Sequence, residues 1–273
     1  MTGKLVTISP EHSVRSAIER MEQYRIGCLP VLENDRLVGL VTSRDVKLSH
    51  PNRLVADAMS RNLITMASSC SLWEAEQLLN QYKIEHLIIV EKDSPVGVVT
   101  KAQLYAELGK HIDGLTGLRK ADFLKYKALE LLKTGKEICI IFFDLDNFGT
   151  VDKELGHIIG DEILVEVARI MTEQVDAKTD YLCRYAGDEF AIVSTKHLEG
   201  AKQLANRILT ALGKDDWPYG IRVTASGGIA GGQRSNCRND DLNKAINNLI
   251  NMASLASTKA KKESASLSIK NVV

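Results

Sequence analysis

The first hundred residues repeat themselves at an offset of 58 positions, and this repeat constrains the fold more than any other feature. Sliding the chain by that offset aligns identical residues without a gap. The matches are Met1 with Met59, Thr7 with Thr65, Gln23-Tyr24 with Gln81-Tyr82, Ile26 with Ile84, Glu33 with Glu91, Asp35 with Asp93, Val38-Gly39 with Val96-Gly97, and Thr42 with Thr100. The repeat predicts two copies of one supersecondary unit.

Hydrophobic periodicity predicts the order β-α-β-β-α in each copy. In the first copy the elements are an extended start at 5–8, an amphipathic helix at 14–24, a strand at 28–33, a turn at 34–35, a strand at 37–42 and a helix beginning at 43–45. In the second copy the last helix is predicted to continue through Leu108 to Ile112, without a Gly/Ser/Pro linker. Such a helix would either transmit rotation between the two halves or act only as a spacer.

The segment Gly39-Leu40-Val41-Thr42-Ser43-Arg44-Asp45 resembles the nucleotide-site motif of CBS domains. Residues 1–108 therefore resemble a tandem CBS pair, with repeats of about 1–50 and 51–108, which implies a regulatory module for AMP, ADP or ATP. Thr42 and a helix-start N–H suit a phosphate, Asp45 suits the ribose hydroxyls, and Arg44 adds a phosphate contact. The alternative is that Ser43 and Asp45 only cap the helix.

The matching place in the second copy is occupied by Thr100 and Gln103. Gln103 stands where the first copy has Asp45, so it lacks the negative charge that suits two ribose hydroxyls. We expect this second nucleotide site to be the weaker one.

Two acidic segments follow apolar runs in the second half of the chain. Asp144-Leu145-Asp146-Asn147-Phe148 follows the run 138–143, and Arg184-Tyr185-Ala186-Gly187-Asp188-Glu189-Phe190 follows 181–183. Carboxylates at a strand end and in a hairpin turn can converge on one divalent cation. The pattern predicts a metal site of the kind that carries a nucleoside triphosphate.

Five ordered motifs make residues 109–273 resemble the GGDEF family, the diguanylate cyclases that join two GTP molecules into cyclic di-GMP. The motifs lie at 113–118, 143–148, 155–161, 184–190 and 224–230. The resemblance implies a cyclase- or palm-like domain with a central, mostly antiparallel sheet flanked by helices, so the whole chain is expected to be α/β (α+β). It also implies a homodimer that presents two GTP molecules face to face.

The resemblance assigns roles to individual residues. Asp144, Asp188 and the Leu145 carbonyl are expected to bind Mg²⁺ or Mn²⁺, and Gly187 lets the backbone approach the nucleotide. Glu189 either helps to deprotonate the 3′-hydroxyl or holds a second metal. The alternative for Asp188 and Glu189 is an ordinary solvated turn.

Asp152 and Asp161 are predicted to select guanine, because a carboxylate accepts from guanine N1–H and N2–H₂ whereas adenine N1 is itself an acceptor. Asp152 stands where the family usually has Asn. Asp161 could instead only place a charge near a helix start. Phe148 is also expected to contact the substrate.

Several departures from the family pattern concern phosphate binding and inhibition. Gly149 replaces a lysine, and Ser264-Ala265-Ser266 replaces Gly-Arg-Asn. Lys261 is the remaining cation expected to bind the triphosphate, although it could simply complement the helix dipole. The stretch 177–180 lacks the arginine of the family's product-inhibition motif, so we expect no such inhibition and place control in the N-terminal pair.

Composition and charge exclude several classes of function. Lys plus Arg and Asp plus Glu number 35 each, which gives no basic field for DNA or RNA. The five scattered cysteines include no CxxC pair, which argues against a zinc site or disulfide framework, and no apolar run suits a membrane. Gly227, Gly228 and Gly231-Gly232 lack GxGxxG spacing and are expected to be turn glycines.

The two resemblances imply a diguanylate cyclase, in which two GTP molecules yield cyclic di-GMP and two pyrophosphates under the control of an adenine nucleotide, and the composition favours a cytoplasmic protein. One alternative is a degenerate GGDEF domain that binds GTP without turnover and relays nucleotide occupancy. Another is a scaffold whose two modules only dimerise.

Overall fold

The computed structural model describes residues 5–214, 217–231 and 241–270. Contacts between residues divide the chain into two compact units, Met1–Lys110 and His111–Val273. Within the described ranges, no helix combines the length and the apolar character needed to cross a bilayer.

The N-terminal unit contains the predicted pair of β-α-β-β-α repeats. The first repeat comprises α1 (Val14–Tyr24), β1 (Cys28–Glu33), β2 (Arg36–Thr42) and α2 (Ser43–Leu48), and α3 (Val55–Ala58) follows it. The second comprises β3 (Thr65–Ala67), α4 (Leu72–Tyr82), β4 (His86–Glu91), β5 (Ser94–Thr100) and α5 (Lys101–Leu108). The extended start of the first repeat is reduced to a parallel bridge between Ile8 and Val31.

The strand pairing of the two repeats is equivalent. β1 pairs with β2, and β4 with β5, in antiparallel hairpins, while β3 runs parallel to β4. Both hairpin turns have two residues with positive φ, Asn34 and Asp35 in one and Lys92 and Asp93 in the other. Two consecutive left-handed residues match the right-handed twist of the flanking strands, so the repeat in sequence is also a repeat in turn geometry.

The last helix of the second repeat is shorter than the sequence predicts. α5 ends at Leu108, a 3₁₀ turn covers Gly109–His111, and Ile112 forms an antiparallel bridge with Arg119. Glycine is a poor helix former, and strand pairing provides another partner for Ile112. The expectation of a continuous helix through Ile112 was therefore wrong.

The C-terminal unit has one mixed sheet with helices on both faces. In the described part of this unit, the strands are β6 (Arg119–Lys120), β7 (Cys139–Leu145), β8 (Asp180–Ala186), β9 (Glu189–Ser194), β10 (Ala225–Gly231) and β11 (Leu267–Lys270), in the order β11-β10-β7-β9-β8-β6. The helices are α6 (Ala121–Lys133), α7 (Phe148–Leu155), α8 (His157–Gln174), α9 (Leu198–Leu212) and α10 (Leu242–Lys262). The four central strands are antiparallel to one another, as predicted, whereas the edge strands β11 and β6 run parallel to β10 and β8.

β7 lies in the middle of the sheet and is buried on both faces. Cys139, Ile141 and Phe143 belong to the core formed with α8 and α9, whereas Ile140 and Phe142 belong to the core formed with α6 and α10. Successive side chains of a strand point to opposite faces. Asp144 follows this alternation and shares the face covered by α6 and α10.

The glycines of β10 are strand residues and not the turn glycines expected from the sequence. A Cβ atom on Gly228 would lie 2.1 Å from the Ala253 carbonyl oxygen and 2.3 Å from the Ser257 nitrogen, both on α10. Only a residue without a side chain lets the helix backbone approach the strand this closely. Gly231 ends β10, while Gly232 lies outside the described residues.

Candidate functional site

Three carboxylates converge at one end of the central strands. Asp144 lies near the end of β7, Asp188 lies in the turn between β8 and β9, and Glu189 begins β9. Asp144 and Glu189 are register partners on neighbouring antiparallel strands, so their side chains project from the same face. The Leu145 N–H donates to the Asp188 carbonyl oxygen at 3.3 Å and ties the turn to β7.

Burial and neighbouring negative charge raise the pKa of two of these carboxylates, Asp188 and Glu189. Burial raises the pKa of Asp188 above its ordinary value, and the negative charge of Asp144 raises it further. Burial also raises the pKa of Glu189, with Asp144 and Asp188 adding to the effect. This end of the sheet is therefore a site of concentrated negative charge that favours a cation.

Lys261 supplies one such cation from the last turn of α10. Its Nζ donates a hydrogen bond to the Asp144 carboxylate and another, of 3.0 Å, to the Leu145 carbonyl oxygen. The close approach of α10 to β10 at Gly228 helps to position this helix against the sheet. Lys261 is the predicted triphosphate ligand, but its contact with Asp144 was not foreseen.

The donor set at this site fits a hard divalent cation. Among the described residues, no group of three or more His, Cys, Asp or Glu side chains is arranged to hold a metal. Mg²⁺ does not require such a group, because it is usually bound by one or two carboxylates, several waters and substrate phosphates. The Lys261 ammonium contacts Asp144 and the Leu145 carbonyl together, which shows that one cation can reach both oxygen groups.

The hairpin of β8 and β9, whose turn carries Gly187 and Asp188 and which we call the signature hairpin, is held in place by Arg184. Its Nε donates to the Gly187 carbonyl oxygen at 2.8 Å, and its Nη1 donates to Asp113 Oδ1 at 2.9 Å. Gly187 has a φ of 48°, which a glycine adopts without steric cost. Burial opposes ionisation of Asp113, but hydrogen bonds from Thr116 and Arg184 lower the pKa of this carboxyl overall. The turn that carries Asp188 is thus attached to the loop that begins the unit.

The predicted guanine-binding residues lie on α7 and α8. Asp152 Oδ2 contacts His157 Nδ1 at 2.9 Å, and a Cβ on Gly160 would lie 2.0 Å from Asp152 Oδ1 and 3.4 Å from Phe148 Cζ. The structure therefore brings Phe148 and Asp152 together beside Gly160. Asp161 follows Gly160 on α8 and is exposed.

Asp180 is the aspartate of the stretch 177–180, which corresponds in position to the family's product-inhibition motif. Its buried carboxylate accepts from Ser194 Oγ at 2.7 Å and from the Asp176 N–H at 3.0 Å, and it contacts Lys196. These bonds satisfy the carboxylate within the protein. Asp180 is a structural residue that holds the β8–β9 hairpin.

The candidate nucleotide site of the N-terminal unit coincides with a capping box at the start of α2. Thr42 is the N-cap residue, and both its N–H and its hydroxyl donate to Asp45 Oδ2, at 2.8 and 2.7 Å. Residues at this place therefore do cap the helix, as the alternative interpretation expected, but the cap is formed by Thr42 and Asp45 and not by Ser43 and Asp45. Ser43 instead donates to the Gly27 carbonyl oxygen at 3.0 Å, and Arg44 is exposed.

The second repeat has the same capping box with a neutral partner. The Thr100 N–H and hydroxyl each donate to Gln103 Oε1 at 3.1 Å. The hydroxyls of Thr42 and Thr100 are thus engaged in the same way in both repeats. A phosphate bound at either helix start would have to share or replace these bonds.

His86 of the second repeat lies beside the first repeat's helix start. A Cβ on Gly27 would be 3.7 Å from His86 Nε2 and 3.6 Å from Ser43 Oγ. Burial lowers the pKa of His86, and the charges of Glu85 and Asp45 oppose this shift. Sequence reasoning missed His86, because the residue at the equivalent place in the first repeat is Cys28.

Comparison with known proteins identifies both units. Residues 110–266, more than half of the chain, match the family model described as diguanylate cyclase, GGDEF domain. The chain belongs to the GGDEF family. Residues 1–49 and 55–110 match the CBS domain model, so two CBS domains precede the GGDEF domain.

Solved structures confirm the fold. Diguanylate cyclase SiaD of Pseudomonas aeruginosa, in complex with its activator SiaC, aligns with a TM-score of 0.51 and 22% identity over 74% of this chain and 72% of SiaD. The coiled coil and GGDEF domain of DgcB from Caulobacter crescentus, in complex with c-di-GMP, aligns with a TM-score of 0.52 and 18% identity over 73% of this chain and all of that one. At these identities the likeness concerns the fold alone.

Curated relatives match the CBS pair. The CBS domain-containing protein YhcV of Bacillus subtilis is 33% identical over 110 residues, which are 38% of this chain and 79% of YhcV. Inosine-5'-monophosphate dehydrogenase of Aquifex aeolicus is 37% identical over 101 residues, 35% of this chain. This chain spans only 21% of the length of that enzyme.

The GGDEF domain also contains a site residue that sequence reasoning did not interpret. Asp146, two positions after Asp144, accepts from Thr224 Oγ1 at 2.7 Å and from Ser226 Oγ at 2.8 Å. Asp146 therefore joins the end of β7 to the start of β10, and both of its carboxylate oxygens accept hydrogen bonds from hydroxyl groups of the protein. The motif at 224–230 was recognised by resemblance, but its hydroxyl contacts across 78 and 80 residues carry no local sequence signal.

Proposed function

We propose that the GGDEF domain, acting as a homodimer, condenses two GTP molecules into cyclic di-GMP with release of two pyrophosphates. The observation that supports this activity best is the convergence of Asp144, Asp188 and Glu189 on one end of the sheet. A metal held by Asp144, Asp188 and the Leu145 carbonyl would supply charge neutralisation for the leaving pyrophosphate.

Side chains and backbone of the protein carry out proton transfer and guanine binding and leave room for the nucleotide. Glu189 accepts the proton of the attacking 3′-hydroxyl, a role that its raised pKa favours because a more basic carboxylate is a better proton acceptor. Asp152 and Asp161 accept from the guanine N–H groups, and Phe148 lies beside Asp152. Gly187 keeps the hairpin turn free of a side chain where the nucleotide approaches.

We further propose that AMP, ADP or ATP binds the CBS pair and regulates the GGDEF domain. Thr42, Arg44 and Asp45 supply the polar groups of the first site, and Thr100 and Gln103 those of a weaker second site. Support comes from the helix start at Thr42, where N–H groups and the helix dipole favour a phosphate.

One observation favours a second function, in which the GGDEF domain binds GTP and signals without turning it over. Gly149 and Ala265 lack the cationic side chains that the family pattern has at these places. A charge-assisted contact to phosphate contributes about 1.5–3 kcal/mol, so losing two of them reduces transition-state stabilisation.

Product analysis separates these two functions. The purified full chain is incubated with GTP and Mg²⁺, with and without AMP or ATP, and linear and cyclic dinucleotides are quantified by chromatography. We expect cyclic di-GMP, and Asp188→Ala should abolish it. The matched control is Glu199→Gln, an exposed carboxylate on α9, which packs against the opposite face of the sheet.

The outcomes are distinct. Bound GTP without product under every nucleotide condition would support the binding module and exclude the cyclase. Full activity in Asp188→Ala would show that the metal assignment is wrong. A rate that is the same with and without AMP or ATP, in a protein that makes cyclic di-GMP, would exclude adenine-nucleotide control.

A further inference from the structure

Lys261 contacts the same oxygen groups that are assigned to the metal. Its Nζ donates to the Asp144 carboxylate and, at 3.0 Å, to the Leu145 carbonyl. The Lys261 side chain is 37% exposed and that of Asp144 25%, so the ion pair lies at the mouth of the site and not in the core.

An ammonium and a divalent cation cannot share this position. Mg²⁺ binds its oxygen ligands at about 2.0–2.1 Å, and a lysine nitrogen lies at about 2.7–2.9 Å from a carboxylate oxygen. Two cations held on one carboxylate and one carbonyl would be only a few ångströms apart, and like charges at that distance repel. Entry of a metal therefore requires Lys261 to leave.

We propose that Lys261 is a resident cation that the metal displaces, and that the released ammonium then binds the triphosphate. This exchange couples metal binding to phosphate binding through one side chain. The inference rests on the metal assignment of the proposed function. It accounts for a lysine that is predicted to bind phosphate yet contacts Asp144 and the Leu145 carbonyl in this structure.

The position of Lys261 on α10 suits such an exchange. The helix backbone packs closely against β10 at Gly228, whereas the lysine side chain has a flexible stem of four methylene groups and is partly exposed. Lys259 lies on the same turn of the helix, and its Nζ is 3.8 Å from Glu263 Oε1 in an exposed ion pair. It carries the same charge without contacting Asp144 and therefore provides a matched control.

Mn²⁺ binding to the full chain, measured without nucleotide by the electron paramagnetic resonance signal of free Mn²⁺, tests the exchange. Lys261→Met should tighten Mn²⁺ binding by about tenfold, because the metal no longer replaces a charge-assisted hydrogen bond. Lys259→Met should change it by less than about twofold, since an exposed charge acts only through screened solvent.

Equal Mn²⁺ affinity in the wild type, Lys261→Met and Lys259→Met would overturn the exchange. If the wild type still binds Mn²⁺ in the presence of a non-hydrolysable GTP analogue, the metal site itself stands. Absence of Mn²⁺ binding in every protein, with and without that analogue, would overturn both the exchange and the metal assignment. Lys261→Gln, a second neutral variant, should behave as Lys261→Met does.

Discussion

Arg184 and Asp113 form an ion pair of 2.9 Å that joins the signature hairpin to a loop 71 residues earlier in the chain. Their side chains are only 14% and 20% exposed. Solvent therefore screens this pair less than the pairs on the helix surfaces, such as that between Arg169 and Glu166.

Removing the Asp113 charge should destabilise the GGDEF domain. We expect Asp113→Asn to reduce its free energy of unfolding by about 1–3 kcal/mol, because Arg184 would keep its charge without its partner. Urea denaturation followed by Trp217 fluorescence, in a Trp73→Phe background, reports on this unit. Glu166→Gln, which breaks an exposed pair, should cost less than about 1 kcal/mol. Equal losses in the two variants would contradict the prediction.

Restoring a lysine at position 149 should strengthen substrate binding. Gly149 is exposed, and a Cβ atom there meets no atom within 4 Å, so the first atom of a new side chain causes no clash. We expect Gly149→Lys to lower the KM for GTP about three- to tenfold, because the added ammonium would gain one phosphate contact that solvent partly screens. Steady-state kinetics of cyclic di-GMP formation measure this. Gly149→Gln has a similar length without the charge, and the same improvement there would refute a charge effect.

Adding one methyl group at position 160 should weaken guanine recognition. A Cβ on Gly160 would lie 2.0 Å from Asp152 Oδ1, so the Asp152 side chain must rotate away and lose its contact with His157. We expect Gly160→Ala to weaken binding of a fluorescent GTP analogue about tenfold, which corresponds to losing about one charge-assisted hydrogen bond. Gly149→Ala adds the same methyl group in open space and should leave affinity unchanged. Unaltered affinity in Gly160→Ala would exclude a role for Asp152.

The stability of the CBS pair should fall as the pH falls below about 6.5. Burial lowers the pKa of His86 in the folded state, so the unfolded chain binds its proton at a higher pH. Stability is therefore complete above the unfolded-state pKa of about 6.5 and is lost as the pH falls through the lower folded-state value.

Thermal unfolding followed by Trp73 fluorescence, in a Trp217→Phe background, measures this dependence. His86→Gln should flatten the decline between about pH 5 and 7. His50→Gln, which alters an exposed histidine of the same unit, should not. An identical pH dependence in His86→Gln and the wild type would rule out His86 as its origin.

Much of the local structure could be predicted from the sequence. The periodicity of the first repeat gives the bounds of α1 and β1 as the structure has them, and Gly-Asp at 187–188 correctly predicts a hairpin turn. These features depend on neighbouring residues. The end of α5 at Leu108 could not be foreseen, because Ile112 pairs with Arg119 across a turn that helical periodicity does not represent.

Contacts between distant segments were the part that the sequence did not reveal. Lys261 reaches Asp144 across 117 residues, and Asp146 accepts hydrogen bonds from Thr224 and Ser226 at the start of β10. Each depends on how closely α10 and β10 approach β7, and that spacing is set by packing at residues such as Gly228. A motif identifies the type of residue at such a site, but not its partner.

The paired capping boxes at Thr42 and Thr100 have a consequence for the symmetry of the CBS pair. Asp45 and Gln103 accept the same two hydrogen bonds, so the two helix starts have the same capping pattern. They differ in one unit of charge. The two helix starts therefore share one hydrogen-bonding pattern but differ in charge, so a charged ligand meets a different electrostatic field at each of them.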